Sequence, residues 1–150
     1  MNEAFVKLLC LLKVAYENLL VLHHNLVGCC WLPVHEQLGG YYELIADMGD
    51  DLVEIGLALG IPEPTIQEAI TAGAVLSAEP RDERTSLAEA KRIFHEVIAQ
   101  IDAVADVPAD VKNKLQEYQL TLRKEADYKL ARAAMEMQPA PPAVDPDDDY

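Results

Sequence analysis

From Val34 to Leu59 the apolar residues fall at Val34, Leu38, Tyr41, Ile45, Met48, Leu52, Ile55 and Leu59, in alternating steps of four and three. A helix of 3.6 residues per turn gathers such positions on one side, whereas a strand scatters them over both faces. The run predicts a helix over residues 33–60, roughly 40 Å long at about 1.5 Å per residue. Pro33 suits its first turn and Gly60 its end. A helix of that length with one continuous apolar stripe needs partners of similar length, so the chain is constrained towards a bundle.

The partners are legible in the same way. Phe5, Leu8, Leu12, Leu19, Leu22 and Leu26 mark the buried side of a first helix over 3–27, ending near Gly28. A capping box at Ser86 and Glu89 is expected to open a third long helix, with Leu87, Ala90, Phe94, Val97, Ile101 and Val104 inward, up to about residue 105. A fourth starts at Pro108, uses Val111, Leu115, Tyr118, Leu122 and Leu130, and should fade before Pro139. Between the second and third helices, Ile61 to Asp82 holds three prolines and Gly73, with a Thr65–Glu68 capping box for one short helix ending at Gly73. Strand patterning is missing throughout. The expected fold is therefore all-α: a ferritin-like four-helix bundle whose single long crossover carries a short helix.

With 150 residues and 51% apolar content the chain fits one core. Residues 1–137 are assigned to the bundle and 138–150, rich in proline and aspartate, to a disordered acidic tail. The formal net charge of −14 repels nucleic-acid phosphate and attracts cations, and the first turn offers only Lys7, so DNA binding is not expected. The apolar stretch from Ala4 to Val27 is broken by Lys7, Lys13, Glu17 and two histidines, and is read as neither a signal peptide nor a membrane span. Cys10, Cys29 and Cys30 make no disulfide framework, so a cytoplasmic location is expected.

The chemistry lies in His23, His35, Asp50 and Glu54. Imidazole nitrogen with carboxylate oxygen suits iron, zinc or manganese. Along one helix His35 and Asp50 stand about 22 Å apart, yet ligands of one ion lie within roughly 4 Å of each other. A shared site therefore needs a second copy running antiparallel, and a two-fold axis near the middle of the second helix would generate two such sites. His35, Gly39, Tyr42, Ala46, Asp50, Val53, Glu54 and Leu57 all point away from the core stripe. Their mixture of apolar and small side chains is that of a face packed on another helix. The bland alternative is that the histidines cap carbonyls and the acidic pair is surface charge.

The segment His23-His24-Asn25-Leu26-Val27-Gly28-Cys29-Cys30-Trp31-Leu32-Pro33-Val34-His35-Glu36 resembles the signature H-W-N-x-x-G-x-x-F-x-x-x-H-E of the Dps proteins, or miniferritins, and the likeness runs on through Asp50, Glu54 and Leu59-Gly60. The resemblance implies a hollow homo-oligomer, typically a dodecamer built from two-fold dimers, that oxidises iron(II) with hydrogen peroxide or dioxygen and stores ferric iron. It also implies that His23 and His35 of one subunit and Asp50 and Glu54 of its partner hold the iron, with zinc as a substitute. This chain departs from the pattern at Gly39, where the family usually has Asp, and at His24, where it has Trp. His24 as an extra ligand, and Asp106 with Asp110 as the lining of an ion pore, are weighed against plain surface and helix-end roles.

Three other readings compete. A di-iron site inside one bundle uses Glu-x-x-His, and none of His23, His24, His35 or His95 has Glu three residues earlier. A zinc module from His23, His24, Cys29, Cys30 and His35 is disfavoured because adjacent cysteines are expected to point apart. The third is a ferritin-like shell that sequesters metal or acts as a scaffold, with weak or no ferroxidase activity because of Gly39.

Overall fold

The computed structural model describes residues 2–136. Four long helical stretches form the bundle: α1 (Glu3–His24), α2 (Trp31–Ala58), α4 (Glu83–Ala103), and α5 (Ala109–Lys124) continuing through one π-helical turn (Glu125–Leu130) into α6 (Ala131–Glu136). The crossover between α2 and α4 carries the short α3 (Ile66–Ala69). No strand occurs among the described residues, only one parallel bridge between Leu26 and Arg81. The all-α bundle with a long crossover is therefore present as the sequence predicts, while the proposed tail at 138–150 lies outside the described residues.

The predicted stripes are the core. Phe5, Leu8, Leu12, Leu19, Leu22 and Leu26 are buried on the first side, and Val34, Leu38, Tyr41, Ile45, Met48 and Leu52 on α2. Tyr41 meets Phe94 edge to face at 4.8 Å between ring centroids, the geometry that aromatic quadrupoles favour. Each large side chain buried here contributes about 1.5–3 kcal/mol relative to exposure. Two α2 stripe positions differ from expectation. Gly56 takes the buried place near the end, because the Phe5 ring lies where a side chain would stand, and Leu59 is left exposed.

Helix ends depart from the sequence reading in instructive ways. Helix α1 stops at His24, three residues early, because Leu26 and Val27 are drawn out to the strand-like bridge, with Val27 N–H donating to the Arg81 carbonyl at 3.0 Å. Helix α2 starts at Trp31, which puts Pro33 inside its first turn, where no intrahelical donor is needed. Its end is a Schellman turn: Gly60 at φ 78° lets its own N–H reach the Leu57 carbonyl and the Ile61 N–H reach that of Gly56. The Thr65–Glu68 capping box is formed, although α3 closes at Ala69, short of Gly73.

The Ser86–Glu89 box is not formed. Asp82 caps α4 instead, its carboxylate accepting from the Thr85 N–H at 2.8 Å. Ser86 is buried in the first turn, and Glu89 pairs with Arg92. The bridge at Arg81 holds the chain extended up to residue 82, so the first eligible cap beyond it starts the helix. Tyr118 is half-buried rather than core, and its hydroxyl donates to Asp51 across the bundle.

Candidate metal centre

The turn from α1 into α2 brings His23 and His35 together. Their rings stack at 3.7 Å between centroids with planes 20° apart. The Nδ1 of His23 lies 2.8 Å from the His35 carbonyl, and the Nδ1 of His35 lies 3.0 Å from the His23 carbonyl. A carbonyl oxygen only accepts, so both Nδ1 atoms carry the proton and each neutral ring keeps its lone pair on Nε2. Neither Nε2 has a hydrogen-bond partner among the described residues. Imidazoles that bind metals commonly have this arrangement, with the non-ligating nitrogen anchored on a backbone carbonyl. The burial of His23 pulls its pKa below the ordinary imidazole value, the largest influence on it, while the bond to the His35 backbone works the other way.

Aromatic groups brace the pair. Trp31 stacks on the other side of His35 at 4.1 Å and 18°, held by its indole N–H donating to the Leu26 carbonyl at 2.9 Å. Tyr42 and His24 meet His23 edge-on at 5.2 and 5.0 Å. Gly39 allows this packing, for a Cβ there would stand 3.2 Å from His23 Cε1. The position of the carboxylate that the resemblance would lead one to expect is thus partly taken by the imidazole. His24 is exposed at the helix end.

Asp50 and Glu54 are not brought to the histidines within the chain. Both are exposed on α2, about four and five turns beyond His35 at 3.6 residues per turn. Asp50 lines a groove of about 250 Å³ between α1 and α2, with Tyr16, Ala46 and Val53, and with Lys13 and Glu63 paired beside it. The second face of α2 is uncovered in part: Ala46, Asp50 and Glu54 are exposed and Leu57 keeps 57% of its surface, whereas His35, Gly39, Tyr42 and Val53 are half-buried, Tyr42 and Val53 against the chain's own core. Asp110 accepts the Val111 N–H at 2.9 Å in the first turn of α5. His95 bonds Asp127 at 2.7 Å, which accounts for it structurally.

One group of potential ligands was not foreseen. Cys29 and Cys30 do not diverge: their sulfurs lie 3.7 Å apart, and with a Glu83 carboxylate oxygen the ligand atoms all fall within 4.8 Å of one another. This corrects the expectation that neighbouring cysteines point apart, because the pair sits in a bend before α2 and not in an extended strand. The Cys30 thiol is pushed up in pKa, first by its hydrogen bond with Cys29 and then by the charge on that neighbour. Nothing in the sequence flags Glu83, since its approach depends on the Leu26–Arg81 bridge, a contact between distant segments.

Comparison with solved structures places this architecture. The crystal structure of antigen TpF1 from Treponema pallidum superposes with a TM-score of 0.80 at 23% identity, over 88% of this chain and 89% of that one. The crystal structure of Dps92 from Deinococcus radiodurans gives 0.68 at 20% identity, over 91% and 86%. No family model and no curated protein matches the sequence. The fold is a ferritin-like helical bundle, similar to that of these two structures, one of them a Dps. Among the described residues no helix is long and apolar enough to cross a membrane.

Proposed function

We propose that the chain is an iron-oxidising miniferritin subunit, with residues 1–137 as its bundle domain. Iron(II) is its substrate, bound between two copies by His23 and His35 of one and by Asp50 and Glu54 of the other. The observation that carries this reading is the reciprocal anchoring of the two imidazoles, which fixes the tautomer and leaves both Nε2 atoms bare. The exposure of Leu57, beside the exposed Ala46, Asp50 and Glu54 on the same side of α2, supports a partner copy, since a lone molecule gains nothing by leaving a leucine uncovered there.

In the proposed reaction two iron(II) ions each give one electron to hydrogen peroxide, whose O–O bond breaks to yield, with two protons, two waters. Dioxygen is the alternative oxidant. The protein's part is to hold iron between imidazole and carboxylate, and to confine the ferric product in a hollow oligomer, for which a dodecamer of two-fold dimers is the proposed form. Zinc, with the same ligand preferences, would occupy the site without redox chemistry. We place the protein in the cytoplasm, a reducing setting that keeps its three cysteines as thiols.

A second reading has its own observation. With Gly39 under the His23 ring the site lacks one carboxylate, which favours a shell that binds iron and oxidises it slowly. Adding iron(II) and then peroxide without oxygen separates the two. Rapid peroxide-dependent formation of ferric absorption supports the oxidase, and binding without oxidation supports the sequestering shell.

A further inference from the structure

We propose that Cys29, Cys30 and Glu83 form a second metal site, for a thiophilic divalent cation of the zinc class, separate from the histidine pair. Two thiolates bound tetrahedrally at about 2.3 Å from one ion stand roughly 3.8 Å apart. The Cys29 and Cys30 sulfurs are 3.7 Å apart, already at that separation. The Glu83 oxygen lies within 4.8 Å of both, and binding would draw it in to the roughly 3.5 Å that oxygen and sulfur span around one zinc ion.

The third ligand is held by the fold. The Leu26–Arg81 bridge carries the start of α4 to the α1–α2 turn. Glu83 Oε1 accepts the Cys30 N–H at 2.5 Å, which keeps the carboxylate beside the two thiols and leaves its second oxygen for an ion. Gly28 makes room for it: at φ 134° it has a conformation unsuited to other residues, and a Cβ there would fall 2.1 Å from the Glu83 carboxylate. The carboxylate thus occupies a cradle that only glycine provides.

Two soft sulfurs with one oxygen select zinc or cadmium over magnesium and calcium, and bind iron(II) less well than zinc. Both cysteines are exposed, so an ion reaches them directly and water completes a fourth position. Binding converts two thiols to thiolates and releases two protons to the buffer, which balances the step. One helical turn separates this group from His35, through Trp31, yet no ligand is shared.

The test is titration of the reduced, full-length, assembled protein with cadmium ion in the absence of oxygen, followed by thiolate-to-cadmium charge-transfer absorption in the ultraviolet. We expect saturation at one ion per chain, displacement by zinc, and loss of the absorption in Cys29→Ser and in Cys30→Ser. Glu83→Gln should weaken binding by at least about tenfold. Absorption that survives in the doubly substituted Cys29→Ser, Cys30→Ser protein, or disappears in Cys10→Ala, or never saturates near one per chain, overturns the site. Circular dichroism checks the fold of each variant. Retention of the cadmium signal in His23→Ala, His35→Ala separates this inference from the iron reading, so either can fail alone.

Discussion

His23 and His35 hold each other in place through their backbones: each ring nitrogen Nδ1 meets the other residue's carbonyl, at 2.8 and 3.0 Å, while the two imidazole faces stack. Because the contact joins the last turn of α1 to the first turns of α2, the connection that orders the two imidazoles also ties the two helices together. Removing either ring therefore costs structure as well as ligation. Substitutions at the carboxylate end of the proposed site isolate function better.

Trp31 provides a direct reporter of ion binding. It is the chain's single tryptophan and stacks on His35 at 4.1 Å. Iron(II) added without oxidant should quench its fluorescence to saturation. His35→Ala should remove the saturable quenching even where the fold is kept, and equal quenching in parent and variant would place the ion elsewhere.

Asp50→Ala and Glu54→Ala alter exposed side chains on α2, so the fold should be unchanged. Each is expected to slow peroxide-dependent iron oxidation by at least about tenfold, since a ligand is lost outright. Stopped-flow absorption of the ferric product gives the rate, and gel filtration checks that the oligomer survives. A parent-like rate in both variants would move the site away from these carboxylates.

Gly39→Asp tests whether the missing carboxylate limits the site. A Cβ at this position would lie 3.2 Å from His23 Cε1, so the ring must yield by a few tenths of an ångström. Gly39→Ala imposes the same crowding without a new ligand. We expect Gly39→Asp to bind more iron(II) per chain than Gly39→Ala in anaerobic titration. Equal stoichiometry for the two would leave the glycine with a packing role only.

How much was legible beforehand depended on the range of the interaction. The stripe from Val34 to Leu52 named the core of α2 almost residue by residue, because burial on a helix repeats with a local period. The Thr65–Glu68 cap was equally local. What escaped was set by distant contacts. The early end of α1, the cap at Asp82 and the placing of Glu83 against Gly28 all follow from one bridge between Leu26 and Arg81, fifty-five positions apart. The π-helical turn at Glu125–Leu130 left no trace in the apolar spacing, since Ala126 and Leu130 stay buried at a four-residue step. Of the proposed ligands, the histidine pair is assembled within the chain, and the carboxylates stand apart from it on α2, so a site joining them would need a partner copy.

Asp82 links stability to acidity in a way the fold makes specific. Its carboxylate accepts the Thr85 N–H at 2.8 Å, and that bond, more than any other influence, holds its pKa below the ordinary aspartate value. A group depressed in this way contributes stability that is present above the unfolded carboxylate value and is lost as pH falls through the folded one. Asp82→Ala removes the cap at every pH and should cost about 1 kcal/mol near neutrality. Asp82→Asn keeps an acceptor for the Thr85 N–H but has no proton to gain. Urea unfolding at fixed protein concentration should therefore show the parent and Asp82→Asn close together at neutral pH, with the parent losing ground to Asp82→Asn as the solution is acidified through the carboxylate range. A constant difference between the two across that range would show that the cap does not titrate.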